Sequence, residues 1–196
     1  MAVELRKGQK VSLEKKGPGL GEVLINLNWS QPVKKGFFSR KPAAIDLDLG
    51  CLYELKDGRK GCVQALGNAF GSLSAPPWIA LDGDDRSGAS AAGENLRVNG
   101  QKLSLIKRVL IYTFIYEGAA NWQQADGVVT VKCPGSQDII VRMDEYGSQL
   151  TMCGIAMLEN QNDETFSVEK LVRFFRGHRD LDQAYGWGLN WVAGRK

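Results

Sequence analysis

The sequence predicts an all-β protein, a two-sheet antiparallel β-sandwich with long loops and at most one or two short helices near the C-terminus. Three observations predict this fold. Several short segments are rich in β-branched and aromatic residues, turn-forming triplets separate them, and a hydrophobic content of 43% over 196 residues is enough for a shared core. We therefore expect a single domain over residues 1–196.

Eight segments favour the extended state because of their β-branched and aromatic residues. They are Val3–Leu5, Val11–Leu13, Glu22–Leu27, Ile45–Leu55, Val109–Tyr116, Gly127–Cys133, Ile139–Met143 and Leu150–Leu158. Turn-forming triplets such as Lys56-Asp57-Gly58 lie between them, spaced like the connections of an antiparallel sandwich.

Two of these segments also indicate how they are buried. Val129 and Val131 alternate with more polar residues, which is typical of a half-buried strand. The range 108–117 is nearly all apolar, which indicates a central strand covered on both faces, although ten residues could also form a buried helix. Its β-branched and aromatic content favours the strand.

The middle of the chain, Gly67 to Gly100, is rich in Gly, Ala, Ser, Asp and Asn and predicts long loops. A second long insert is Ser30 to Ala44. Long loops inside a compact domain are usually functional, so we expect any site to include the first of these segments.

Near the carboxyl end the periodicity of Ser167 to Arg176 fits both a helix and a strand, and the local pattern does not decide. The range 178–185 predicts a short helix closed by Gly186, and Trp187 to Val192 predicts a terminal strand. The tryptophans of this last segment are predicted to lie in the core.

A set of acidic residues is the sharpest chemical feature of the sequence. Its members are Asp46, Asp48, Asp82, Asp84, Asp85 and Glu94. A spacing of two places Asp46 and Asp48 on one face of a strand, where like charges repel and a bound cation would relieve the repulsion. Calcium suits such a set because it takes six to eight oxygen ligands in flexible geometry. Alternatively, these aspartates face solvent or cap turns.

Catalysis finds little support in the sequence. The one histidine, His178, is flanked by arginines and glycine, so we expect a surface or capping residue. No nucleophile elbow, phosphate-binding glycine loop or zinc-binding histidine pair is present, and we predict no catalytic residues and no enzyme. Four cysteines are widely separated and are predicted to be buried free thiols, namely Cys51, Cys62, Cys133 and Cys153.

The net charge of +3 is small and the basic residues are spread out, so we expect no nucleic-acid partner. No apolar run approaches the roughly 20 residues that a transmembrane helix requires, and the first residues lack the apolar core of a signal peptide. We expect no transmembrane segment and a cytoplasmic location.

Several motifs resemble the TerD tellurium-resistance and stress family. The stretch 11–29, VSLEKKGPGLGEVLINLNW, resembles the opening of the family's proteins, and IDLDL at 45–49 resembles their aspartate-leucine-aspartate strand. GDDRSG at 83–88 resembles the loop before their acidic cluster. The carboxyl segment 175–196, with GHRDLDQAYGWGLNWVAG inside it, is more similar to the TerA-type branch.

The resemblance implies a β-sandwich that binds calcium at one edge and works in bacterial resistance to tellurite and other stresses. Its implied partners are other tellurium-resistance-type proteins, with a membrane-associated complex as one form that the assembly could take. The family's ligand positions match Asp46, Asp48, Asp84, Asp85 and Glu94, whereas Asp82 has no clear counterpart.

This sequence departs from the family where typical members carry a run of aspartates. It has Ala89-Ser90-Ala91-Ala92-Gly93 instead, so several ligands are missing. Since calcium affinity depends on the number and charge of the ligands, we expect one weak site or none. Glu117, at the end of a predicted strand, is a candidate for a substitute oxygen.

Three functions follow as hypotheses. The first is a calcium-binding stress protein that acts through partner contacts. The second is a metal-free interaction module of the same fold, and the third is a thiol-based protein that reacts with tellurite or oxidants, which would require an exposed cysteine of lowered pKa.

Overall fold

Two β-sheets packed face to face build the protein. The structure is a computed structural model that describes residues 2–15, 17, 19–30, 45–82, 93–117, 122–145 and 149–192, without the side chain of Glu117. Within these ranges the strands are β1 (Ala2–Glu4), β2 (Lys10–Ser12), β3 (Val23–Asn28), β4 (Asp46–Leu55), β5 (Lys60–Gln64), β6 (Gly71–Ser72), β7 (Ile79–Leu81), β8 (Glu94–Val98), β9 (Ile106–Glu117), β10 (Val128–Lys132), β11 (Asp138–Arg142), β12 (Met152–Gln161) and β13 (Thr165–Phe175).

The seven-stranded sheet has the order β1-β11-β10-β3-β8-β7-β6, and the six-stranded sheet has the order β2-β13-β12-β9-β4-β5. The pairing of β1 with β11 is parallel and the pairings between the other neighbouring strands are antiparallel. Two short α-helices accompany the sheets, α1 (Trp122–Ala125) and α2 (His178–Tyr185). The predicted antiparallel sandwich with few helices is confirmed, and all eight predicted strand segments form strands.

The main core lies between the sheets and follows the two-residue period of the strands. In β3 the inward residues Val23, Ile25 and Leu27 are fully buried, and in β10 Val129 and Val131 are fully buried as predicted. Polar neighbours alternate with them on the outer face. This core is the main source of hydrophobic stabilisation because it removes apolar side chains of both sheets from water.

The six-stranded sheet is buried on both faces at its centre. In β9 the inward residues Val109 and Ile111 belong to the main core, whereas Leu110 and Phe114 join a second apolar cluster on the outer face. Residues 178–192, which we call the C-terminal cap, cover this outer face. Within the cap, the Trp187 side chain is 2% exposed and donates its indole N–H to the Tyr53 carbonyl at 2.9 Å.

The prediction of long loops over residues 67–100 is wrong for the described part of that segment. Three short strands, β6, β7 and β8, lie in it, and β5 precedes it without having been predicted. Their sequences are short and contain Gly, Ala, Asn and Gln, so propensity alone does not identify them. Pairing with β3 and β4 orders these strands, since strand formation depends on neighbours more than on intrinsic preference.

The carboxyl end settles one alternative and corrects one prediction. Residues 165–175 form the strand β13, and α2 has the predicted bounds. Residues 187–192 were predicted as a strand but form none, because the buried carboxylate of Asp182 holds them by accepting hydrogen bonds from Gly188 N, Leu189 N and Trp191 Nε1 at 2.6, 2.9 and 2.9 Å.

Within the described ranges, no helix has the length and apolar character needed to cross a bilayer.

An ion pair between a buried lysine and an aspartate whose side chain is 50% exposed connects the two sheets at the edge farthest from β5 and β6. Lys170 lies on the core side of β13, its side chain is 3% exposed, and its Nζ is 2.8 Å from Asp144 Oδ1, just after β11. Burial by itself would raise the pKa of the Asp144 carboxyl, but the hydrogen bond from Lys170, a backbone hydrogen bond and the charges of Lys170 and Arg142 together outweigh it and lower that pKa. The carboxylate therefore stabilises a lysine that is otherwise desolvated.

We predict that removing the two partners of this pair has unequal effects. Asp144→Ala leaves a buried ammonium without its counterion and should lower the free energy of unfolding by about 2–3 kcal/mol, whereas Lys170→Met should change it by less than about 1 kcal/mol. Urea unfolding measures both. Lys7→Met, which removes the exposed pair with Glu145, is the control and should be nearly neutral; equal costs for Asp144→Ala and Lys7→Met would contradict the prediction.

Candidate metal centre and its surroundings

Three of the predicted acidic residues lie at one end of the sandwich. Strand β4 begins there with Asp46, β8 begins with Glu94, and β9 ends with Glu117. In the strand register Asp46 is directly opposite Glu117, and Glu94 is directly opposite Leu27 of β3. Positions 31–44, 83–92 and 118–121 lie outside the described residues.

Asp46 and Asp48 share one face of β4, as their spacing predicts. Leu47 and Leu49 belong to the core between the sheets, so the two aspartates lie on the outer face of the six-stranded sheet. Asp48 is 1% exposed and is directly opposite Phe114 of β9. A carboxylate is thus buried on a sheet face that is largely apolar around Phe114, and burial of a charged group is costly unless other groups compensate it.

Glu94 reaches the same strand end from the other sheet. It is 3% exposed and lies on the inward face of β8 with Leu96 and Val98. Its Oε2 accepts a hydrogen bond from the backbone N–H of Leu49 at 2.5 Å. Pairing of β4 with β5 starts only at Gly50, so Glu94 takes the place of a missing strand partner and bridges the two sheets.

Asp46, Asp48 and Glu94 each have one carboxylate oxygen that is shielded from solvent. These oxygens are Asp46 Oδ1, Asp48 Oδ2 and Glu94 Oε1. Asp82, a weaker candidate, pairs with Arg97 instead, whose Nε lies 2.7 and 2.6 Å from its two oxygens. Asp84 and Asp85 lie outside the described residues. The backbone of Glu117 pairs with Asp46, which brings this second weaker candidate to the same end.

The described carboxylates supply only part of a metal coordination shell. Within the described ranges, no three His, Cys, Asp or Glu side chains come close enough together to hold a metal ion. The donors present are hard oxygens from two sheets, which suits calcium in kind but leaves most of its six to eight positions to other groups. The donor atoms are therefore of the kind that calcium prefers, and the calcium site stays a prediction.

Gly93 fixes the direction in which Glu94 enters the site. Its φ of +66° lies in the left-handed region, and a Cβ there would collide with the carbonyl oxygen of Leu27. The backbone of β3 therefore approaches Gly93 more closely than any other residue type allows. This contact sets where β8 begins and hence where the Glu94 carboxylate meets β4.

A buried polar cluster lies next to Asp48 on the same outer face. Gln64 Oε1 accepts from the Tyr112 hydroxyl at 2.6 Å and lies 2.8 Å from His178 Nε2, which must then be the donor. The His178 ring contacts Phe114 edge-on at 5.2 Å between centroids. The expectation of a surface or capping histidine holds only in part, because His178 is half-buried and α2 turns its ring onto the sheet. Sequence reasoning also missed Gln64, whose role depends on strand pairing.

Burial lowers the pKa of His178 to about 4, so the imidazole is neutral near pH 7. A neutral ring whose Nε2 is committed to Gln64 stabilises the C-terminal cap. It is a weak base at neutral pH because its pKa lies well below 7.

Burial also raises the pKa of the cysteine thiols. Cys51, Cys133 and Cys153 are buried as predicted and Cys62 is half-buried, and each pKa lies above the ordinary thiol value. The thiolate is the reactive form of cysteine, so these environments oppose nucleophilic or redox chemistry.

We predict that His178 makes stability depend on pH. Between pH 6.5 and about 4 the unfolded chain binds a proton at this residue and the folded chain does not, so the contribution is complete above pH 6.5 and decreases as the pH falls. Between pH 7 and pH 5 the free energy of unfolding of the native chain should fall by about 1–2 kcal/mol more than that of His178→Gln. Urea unfolding at the two pH values measures this difference, and equal losses would show that His178 is not buried in its neutral form.

The fold and these motifs recur in known proteins. A TerD domain matches residues 1–133, two thirds of the chain. The tellurium resistance protein TerA of Alcaligenes sp is 44% identical over 201 aligned positions that cover 95% of this chain. This chain spans only 58% of the length of that relative. The uncharacterized protein YceE of Bacillus subtilis (strain 168) is 28% identical, and the aligned region covers 74% of this chain and 76% of YceE.

Two crystal structures share the architecture. The protein SAV2460, of unknown function, superposes with a TM-score of 0.60 at 13% identity over 82% of this chain and 92% of its own. SCO6318 from Streptomyces coelicolor A3(2), a homologue of the telluride resistance protein TerD, superposes with a TM-score of 0.56 at 20% identity over 84% of this chain and 95% of its own. These two likenesses support the fold. The match over residues 1–133 and the 44% identity to TerA show that the chain belongs to the TerD family.

Proposed function

We propose that this chain is a calcium-binding stress protein of the tellurium-resistance type that acts by binding partner proteins rather than by catalysis. The observation that carries the calcium half is the group of solvent-shielded carboxylate oxygens of Asp46, Asp48 and Glu94 at one strand end. The resistance role is proposed because its relatives TerA and the TerD homologue carry that name.

The physical argument is electrostatic. Carboxylate oxygens that are shielded from water attract a nearby positive charge more strongly than oxygens in water do. A divalent cation compensates two of them at once. Calcium is favoured over magnesium because donors from separate strands form an irregular shell, whereas magnesium requires a near-ideal octahedron.

The proposed ligands are those of the sequence prediction, with their ranks changed by the structure. Asp48 and Glu94 are the buried acids, Asp46 lies beside Asp48, and Glu117 is opposite Asp46 in the register. Asp84 and Asp85 are proposed as the loop donors. Asp82 is omitted because Arg97 binds it. Since the acid count is low for calcium, we propose one weak site, and its binding should stabilise the fold because its donors come from both sheets.

The absence of catalysis is part of the proposal and has two supports. The single histidine is neutral and its Nε2 is used in a structural hydrogen bond, and burial raises the pKa of all four cysteine thiols. We therefore propose action through contacts with other tellurium-resistance-type proteins, in the cytoplasm or at a membrane-associated complex. The thiol-based alternative is disfavoured by the same pKa shifts.

The test is calcium titration by calorimetry on the full chain after chelator treatment, with melting curves in calcium and in chelator. The native chain should bind calcium and melt at a higher temperature in its presence, since a ligand at 100 times its Kd adds about 2.7 kcal/mol. Asp48→Asn and Glu94→Gln should each weaken binding by at least about tenfold. In chelator, Asp48→Asn should melt higher than the native chain because the repulsion is reduced.

Asp138→Asn is the matched control, because this aspartate lies on β11 near the opposite edge of the sandwich. It should leave the calcium affinity unchanged. No binding heat up to roughly millimolar calcium, the weakest range of natural sites, would overturn the calcium half and leave the metal-free interaction module. Unchanged affinity in Asp48→Asn would instead place the ion elsewhere.

A further inference from the structure

A groove of about 470 Å³ lies at the start of α2, outside the candidate metal centre. Residues 176–180 form one side and Trp191 and Val192 form the other. We call it the cap groove because most of its lining residues belong to the C-terminal cap. Neither the acidic strand end nor the resistance role assigns it any use.

The aromatic side of the cap groove is held rigidly. The Trp191 ring contacts His178 at 4.8 Å between centroids, and its indole N–H donates to the buried Asp182 carboxylate at 2.9 Å. Next to it Val192 is 86% exposed, in contrast to the apolar residues of the two cores. A fixed tryptophan beside an exposed valine offers an apolar contact for an incoming side chain without loss of rotamer entropy on the protein side.

The opposite side of the groove is cationic. Arg179 donates to the Trp191 carbonyl at 3.1 Å, and within the described residues it contacts no carboxylate. Arg176 pairs with Asp180 at 2.6 Å, but its side chain is 81% exposed, and such a surface pair contributes little and exchanges easily. With His178 neutral, the two arginines and one aspartate leave a net charge of +1.

Several described arginines are neutralised by carboxylates. Arg97 contacts the carboxylates of Asp82 and Glu22, and Arg108 contacts Glu54. Arg179, by contrast, is oriented by a backbone carbonyl that does not neutralise it. Its guanidinium keeps donors for a carboxylate, which it can bind through two parallel hydrogen bonds.

We propose that the cap groove docks an acidic segment of a partner protein, with a carboxylate on Arg179 and an apolar side chain against Trp191 and Val192. The proposal deepens the partner-binding half of the proposed function and does not depend on the calcium half. A protein segment is favoured over nucleic acid because the groove has room for a few side chains and two arginines, whereas nucleic-acid binding relies on many phosphate contacts.

The experiment measures fluorescence anisotropy of a labelled peptide, Gly-Glu-Asp-Leu-Glu-Asp-Gly, titrated with the full chain in calcium and in chelator. The acidic peptide should bind saturably in both conditions, and its amide counterpart Gly-Gln-Asn-Leu-Gln-Asn-Gly should bind at least about tenfold more weakly. Equal affinity of the two peptides, or no saturation for either, would overturn the proposal. A calorimetric calcium titration of the same sample tests the calcium site separately, so a failure of peptide docking can be told apart from a failure of calcium binding.

Two groove variants and one control locate the binding. Arg179→Gln and Val192→Asp change opposite sides of the groove and should each weaken the acidic peptide by at least about tenfold. Val192→Asp removes no hydrogen bond, so its effect cannot come from a loosened cap, and melting curves check both variants. Lys132→Gln, an exposed cation on the seven-stranded sheet, should leave binding unchanged. Equal effects of Lys132→Gln and Arg179→Gln, or displacement of the peptide by a lower concentration of single-stranded RNA, would overturn the docking of an acidic protein segment.

Discussion

The central strands of the six-stranded sheet are apolar on both faces, and this constraint governs the rest of the molecule. One face joins the main core, and the other exposes a second cluster that must be covered to keep it from water. The C-terminal cap supplies that cover. Its anchors are Trp187, buried beneath the Arg108 guanidinium at 3.8 Å, and the Asp182 carboxylate, which fixes the segment after α2.

Strand β4 shows how one stretch of sequence satisfies both faces. Leu47, Leu49 and Cys51 lie in the main core, and the alternate positions are acidic, glycine and leucine. Gly50 is needed because a Cβ there would lie 2.7 Å from the Tyr112 ring, which covers it. The absence of a side chain at Gly50 allows Tyr112 to lie flat and to reach Gln64. The strand therefore changes along its length from a charged end to a covered apolar centre.

The charged end of β4 and the C-terminal cap are neighbours on the outer face of the six-stranded sheet. Asp48 is opposite Phe114, and the Phe114 ring contacts His178 at the start of α2. The proposed cation edge lies on β4 and β9, and the cap that forms the groove packs on the same two strands through His178. A rigid frame lies between them, because both strands are paired on each side and β9 is buried along most of its length. Such a frame can hold two binding surfaces in a fixed relation without a conformational change.

The sequence by itself determined the sandwich, most of its long strands, the helix α2 and the shared face of Asp46 and Asp48. These follow from local periodicity and turn chemistry, which depend on neighbours in the chain. Tertiary structure alone decided what covers each face and which distant groups meet. Four features required it: the short strands β5 to β8, the irregular path of 187–192, the burial of His178 against Gln64, and the reach of Glu94 to Leu49. Periodicity shows which side chains share a face, but the partner of that face comes from segments far along the chain, and no local pattern contains it.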